Sequence, residues 1–271
     1  MLTQQSIGIF DSGVGGLTVF HAIRNAFPHE NLVYFGDTAR VPYGPKSKRT
    51  VIDYSIQNTR FLIQQNVKII VVACNTSSAV AIDVIKEITD IPVIGVIIPG
   101  AEAAVHSTRN KRIGVIGTYG TVRSQAYTQA ILSLMPDAKV FSKPCPLFVP
   151  LAEEGWEDHP VTSQIAKHYI DPLLEEDIDT LVLGCTHYPI LKKTIQQVVG
   201  PSVMLVDSAD AIIPHLKAEL PEALSTGSGK DRFFVSDNEA QFLAIANRIL
   251  EREPDLVQMV KLGESWFVEK K

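Results

Sequence analysis

Three cysteines are all that the 271 residues contain, and no two stand in a Cys-x-x-Cys pair. A disulfide framework is thereby excluded, and a reduced, cytoplasmic protein is expected. Cationic excess is missing too. The formal net charge of −5 makes no electrostatic case for nucleic acid or an anionic membrane surface. No apolar run approaches the length that spans a bilayer; the stretch from Val67 to Cys74, VKIIVVAC, is the size of a strand. The amino terminus, MLTQQSIGIFDSG, has no basic segment ahead of a long apolar run, so no secretory signal is expected. Several chemical signatures are absent as well: His-Glu-x-x-His, clustered Cys/His spacing for zinc, an acidic calcium loop, a Gly-x-Ser-x-Gly elbow and an evident Schiff-base lysine motif. The turn from Asp11 to Gly16 superficially resembles a phosphate loop. It lacks the closing lysine and hydroxyl, and Asp11 would repel phosphate.

What is present describes a soluble globular chain, 45% hydrophobic and 20% charged. Short apolar strands alternate with helical segments: strands at Ser6 to Phe10, Asn31 to Phe35, Lys68 to Ala73 and Pro92 to Val96, with helices at Leu17 to Ala26, about Ser47 to Gln65, and after Asn75. The pattern restarts with a strand at Arg112 to Gly117, a helix from about Val122 to Leu134 and an extended segment from Lys139 to Ser142. A helix over Pro160 to Leu174 and a strand over Asp179 to Gly184 follow. Ile7 and Ile113, like Cys74 and Cys185, are separated by about 110 residues, which suggests duplication of one βα unit. The expected fold is α/β, with two pseudo-symmetric domains of mostly parallel sheet flanked by helices and the active site in the cleft between them. Residues 1–97 plus 208–271 are assigned to the first domain and 98–207 to the second. The run from Ser225 to Lys230 reads as a surface loop.

Two segments organise the chain, VVACNT (Val71 to Thr76) and LVLGCTH (Leu181 to His187). Each is a buried strand delivering a cysteine to the carboxyl edge of a sheet, where open α/β folds bind ligands. Either cysteine alone reads most simply as a small buried hydrophobe. A helix starting just after each would lower the thiol pKa through its dipole. In duplicated positions the pair suggests one site, with two thiols reaching opposite faces of a small molecule. That suits removal of a proton from one face and delivery to the other. His187 is an ordinary histidine at a helix start or, beside Cys185, a site residue that handles the thiol proton. Asp11 is a turn former, or else sits beside Cys74 to steer an ammonium or assist the thiol. Tyr43 and Gly44 form a plain turn, or offer backbone N–H groups to a carboxylate. Glu153 and Glu154 read as solvated, though their position after Pro150 keeps them as cleft candidates. Cys145, between prolines and after no comparable strand, reads as structural.

Together IFDSGVGGLTV (Ile9 to Val19), YFGDTARVPYG (Tyr34 to Gly44), ACNTSSA (Ala73 to Ala79) and GCTHYP (Gly184 to Pro189) resemble the glutamate racemases, in the family's order and across nearly the whole chain. The resemblance implies no pyridoxal phosphate or metal, and Cys74 and Cys185 as the two acid/base residues; in the mechanism that follows, Asp11 and His187 are each expected to tune one thiol. By matched position it implies that Asp11, Ser12, Tyr43, Gly44, Asn75, Thr76, Thr186 and His187 contact a glutamate substrate. D-glutamate for bacterial peptidoglycan synthesis would be the product, and a homodimer is the expected assembly. Rival readings are racemisation of aspartate or a related acid, a non-catalytic amino-acid-binding protein, a cysteine hydrolase and a dithiol redox pair.

Overall fold

A computed structural model of the chain describes residues 5–220, 228–254 and 256–262. Its first part runs β1 (Ser6–Asp11), α1 (Leu17–Ala26), β2 (Leu32–Gly36), α2 (Lys48–Gln64), β3 (Val67–Val72), α3 (Asn75–Glu87), β4 (Val93–Gly95) and α4 (Ile97–Ser107). The second continues with β5 (Arg112–Gly117), α5 (Tyr119–Ser124), α6 (Ala126–Leu134), β6 (Lys139–Pro144), α7 (Phe148–Glu153), α8 (Pro160–Leu174), β7 (Thr180–Gly184), a 3-10 turn at Tyr188–Leu191, α9 (Lys192–Val199) and β8 (Met204–Asp207). After α10 (Ser208–Glu219) come β9 (Asp231–Val235), α11 (Glu239–Leu250) and β10 (Val257–Met259).

Two sheets result, and every strand pairing among the described residues is parallel. The first has the order β10-β9-β2-β1-β3-β4 and the second β6-β5-β7-β8. The repeat is visible in that order. In each sheet the first strand of the unit lies between its second and third, and the fourth lies outside the third. The first sheet then gains β9 and β10, which return from the far end of the chain to pair beside β2.

Continuous apolar runs make these strands because both faces are covered. Along β3, Ile69 and Val71 enter one core with α1, α10 and α11, while Ile70 and Val72 enter the other with α2 and α3. In β7, Leu181 and Leu183 face one core and Val182 the opposite one. The two-residue period thus divides each strand between two apolar layers, each fully buried side chain contributing about 1.5–3 kcal/mol. The chain crosses between sheets twice, through β4–α4 and through β8–α10. Helix α4 sends Ile97, Ala101 and Ala104 into the second sheet's core, and α10 sends Ala209, Ile212 and Leu216 into the first's.

Two expectations change, and a third falls partly outside the described residues. The helix expected over Val122 to Leu134 is two helices, α5 and α6, broken at Gln125, which adopts a left-handed conformation with φ +56. Ser124 Oγ accepts the N–H of Ala126 at 3.2 Å, a local bond that competes with continuous helix. Cys145 does follow a strand, since β6 ends at Pro144, but that strand is the half-exposed edge of its sheet. Of the run from Ser225 to Lys230, residues 225–227 lie outside the described residues; the N–H groups of Ser228 and Lys230 both donate to Asn31 Oδ1.

Candidate active site

The strands of both units deliver their carboxyl ends to one seam. From the first sheet come Asp11 at the end of β1, the Ser12–Gly16 turn, the loop after β2, and Cys74 after β3. From the second come Thr118 after β5 and Cys185 after β7. Hydrogen bonds stitch the two sides together. Thr186 Oγ1 donates to Asp11 Oδ1 at 3.3 Å, and Thr18 Oγ1 donates to the Thr186 carbonyl at 2.9 Å. The Thr76 and Thr118 hydroxyls are 2.9 Å apart. Two glycines let the sides approach: a Cβ on Gly15 would stand 2.4 Å from His187 Nδ1, and one on Gly44 would stand 2.7 Å from the Thr118 Cβ.

Of the residues singled out in the sequence, Asp11, Ser12, Gly44, Cys74, Thr76, Cys185, Thr186 and His187 belong to the loops that meet at this seam, whereas Cys145 and Glu154 do not. Asp11, Thr186, His187 and Cys185 form one connected group. Cys74 packs with Tyr43 and Val51, has Ser12 beside its sulfur, and begins α3, whose first residues are Asn75 and Thr76. Both thiols are free and nearly closed off from solvent, Cys74 at 5% and Cys185 at 6% exposure.

The two thiols have different surroundings. Cys74 is the residue that caps α3, yet its thiol is not lowered as the dipole argument expects. Burial, and then the Asp11 carboxylate, push it up to about 12, with Ser77 and Ser12 offsetting only part. Desolvation outweighs a helix end that is worth about half a charge. For His187, burial disfavours the cation. Cys185 and the Glu153 carboxylate nevertheless hold it protonated, up to about 10. Its Nδ1 lies 3.9 Å from Cys185 Sγ and its Nε2 lies 2.9 Å from Glu153 Oε1. Burial also raises Asp11, against the His187 charge, the Gly13 and Gly16 amides and the Thr186 hydroxyl. Asp11 therefore stands by one thiol and His187 by the other.

Some expectations do not carry through. No α-helix begins at Cys185; a turn and the 3-10 segment Tyr188–Leu191 intervene before α9. Pro189, which has no N–H, occupies that first turn. The Tyr43 hydroxyl donates to Asp37 and accepts from Asn58 at 3.0 Å, which leaves its main chain as what it can offer a ligand. Glu153 is an ion-pair partner of His187, whereas Glu154 is exposed. Cys145 is buried in the second sheet's core, where burial pushes its thiol up.

Sequence reading passed over Tyr127 and Ser208. Tyr127 Oη donates to Asn75 Oδ1 at 2.7 Å, and Ser208 Oγ donates to the same oxygen at 3.2 Å. The helical spacing around Tyr127 marks it only as a core position, and nothing near Ser208 sets it apart. Among the described residues, no group of three or more His, Cys, Asp or Glu is arranged to hold a metal ion, and no helix is long and apolar enough to cross a membrane.

Comparison of the whole chain with known proteins points to one family. The profile of the Asp/Glu/Hydantoin racemase family matches residues 16–216. A glutamate racemase of Geobacter metallireducens is 51% identical over 251 residues, spanning 91% of this chain and 93% of that protein. Glutamate racemase isoform RacE1 of Bacillus anthracis superposes with a TM-score of 0.92 at 40% identity, over 96% of this chain and 98% of that one. The Francisella tularensis glutamate racemase, solved in complex with D-glutamate, gives 0.90 at 38% identity, over 98% and 100%.

Proposed function

This chain belongs to the Asp/Glu/Hydantoin racemase family, a family of isomerases, and we propose that it interconverts L- and D-glutamate by two-base proton transfer between Cys74 and Cys185, without cofactor or metal. The observation that supports this reading most is the meeting of the two duplicated cysteine loops on one seam, joined by the Thr186–Asp11 hydrogen bond at 3.3 Å.

The α-proton of an amino acid is weakly acidic because the neighbouring carboxylate is already negative. With no electron-sink cofactor, the site must stabilise developing charge by fixed donors in a space that excludes water. One donor stands ready: Asn75 Nδ2 is buried and has no hydrogen-bond partner among the described residues. A thiolate on one face takes the α-proton and becomes a thiol. The thiol opposite gives its proton to the carbanion and becomes the thiolate, so the pair ends with its protonation exchanged. The His187 cation is suited to stabilising negative charge on the Cys185 sulfur. A substrate ammonium beside Asp11 would cancel the charge that helps hold the Cys74 thiol up. Entry requires the two units to part, because both thiols are shut in; the crossings near residues 97 and 207 are the hinge positions, which also bound the two domains.

The protein acts in the cytoplasm, as a homodimer, and its D-glutamate serves peptidoglycan synthesis. The test is to incubate the purified protein with D-glutamate, and in parallel with D-aspartate, in the presence of a chelator and a carbonyl reagent. Rotation of the glutamate solution falling to zero, with aspartate unchanged, supports the reading. Unchanged glutamate rotation, from folded protein with reduced thiols, overturns it.

A further inference from the structure

Asn75 carries an unusual burden for a residue only 2% exposed. Its Oδ1 accepts two hydrogen bonds, from Tyr127 and Ser208, while its Nδ2 donates none among the described residues. A buried amide donor without a partner is costly unless something else completes it. Both hydroxyls sit against the oxygen end of the amide.

Tyr127 is itself held in a slot built from absences. A Cβ on Gly184 would lie 3.0 Å from the Tyr127 Cε2, and one on Gly100 would lie 3.0 Å from its hydroxyl. Gly184 is the residue before Cys185, and Asn75 is the residue after Cys74. One tyrosine therefore leans on the backbone of one thiol loop and grips the side chain of the other. Ser208, at the start of α10 where the chain crosses back to the first unit, adds the second grip.

We propose that Tyr127, assisted by Ser208, is a positioning residue that aims the Asn75 amide N–H at the substrate carboxylate and couples the two cysteine loops. This rests on the reading of the seam as a racemase site. Neither residue touches substrate; both act through Asn75.

The test compares wild type with Tyr127→Phe, Ser208→Ala, Asn75→Ala and the Tyr127→Phe/Asn75→Ala double variant. The phenylalanine keeps the ring in its slot and removes only the hydroxyl. Tyr127→Phe should raise KM for both glutamate enantiomers roughly 5- to 50-fold, with kcat changed far less. In the Asn75→Ala background the same substitution should have no further effect on KM. Thermal unfolding of the same proteins gives a readout independent of turnover. The melting-point losses of Tyr127→Phe and Asn75→Ala should be less than additive. A wild-type KM in Tyr127→Phe, or additive effects in the double variant on either measure, overturns the inference. Absence of glutamate turnover in wild type overturns the racemase reading instead, and the unfolding cycle still decides whether Tyr127 acts on Asn75.

Discussion

His187 bridges Glu153 and Cys185: its Nε2 lies 2.9 Å from the Glu153 carboxylate and its Nδ1 faces the Cys185 sulfur at 3.9 Å. Flanked by two acceptors of negative character, a buried imidazole keeps its proton far above its ordinary range.

Replacing Glu153 by Gln removes one of the two groups holding that proton. The His187 pKa should fall from about 10, and kcat/KM should drop roughly 10- to 100-fold, as for loss of a partner that orients a catalytic group. A histidine-resolved NMR titration checks the first and steady-state kinetics the second. Stability follows with a definite sign. A folded pKa above the unfolded 6.5 contributes stability fully present below pH 6.5 and lost as pH rises toward about 10. The stability gap between wild type and Glu153→Gln, measured in urea, should accordingly be larger at pH 6 than at pH 10.

Cys74 offers a complementary test. With its thiol pushed up to about 12 by burial and by Asp11, alkylation of the ligand-free protein should be slow at pH 7.5. The rate should rise about tenfold per pH unit until the thiol ionises, as thiolate is the reactive form. Asp11→Asn removes a charge that raises this thiol, so it should speed alkylation of Cys74 at fixed pH. Peptide mass spectrometry of iodoacetamide-treated protein reads the site directly.

Gly15→Ala probes the seam itself. The added Cβ would come within 2.4 Å of His187 Nδ1 and 2.6 Å of Thr186 Oγ1, so the second unit's loop must shift. Misplacement by about 1 Å costs on the order of 100-fold in rate. The atoms nearest the new Cβ belong to the polar side chains of Thr186 and His187 rather than to apolar core, so the melting temperature should move little. Kinetics beside calorimetry separate the two effects.

Much of this arrangement was legible in the sequence because it rests on local, strongly periodic features. Strands such as Arg112–Gly117 and helices such as Leu17–Ala26 and Pro160–Leu174 fall where the apolar pattern puts them. The small residue and cysteine ending two apolar runs marked both thiol loops. What escaped depends on contacts between distant segments. Glu153, read as solvated or as a cleft candidate, shows its partner only once the fold brings His187 within 2.9 Å of it. Tyr127 looked like a core tyrosine, since its spacing in α6 says nothing of a bond to Asn75. The helix dipole was read for Cys74 without the burial that overrides it. After Cys185 a turn and a 3-10 segment stand where an α-helix was expected.

Replacement of either Cys74 or Cys185 by alanine should abolish racemisation, but the labelling pattern of the intact enzyme is the most direct test. The measurement is to start from L-glutamate in D2O, stop below ~10% conversion, separate the enantiomers and weigh each. Two-base transfer predicts D-glutamate carrying deuterium at the α-carbon, while the remaining L-glutamate keeps hydrogen. D-glutamate that retains the original hydrogen would mean that one base serves both faces, and would contradict the pairing of Cys74 with Cys185.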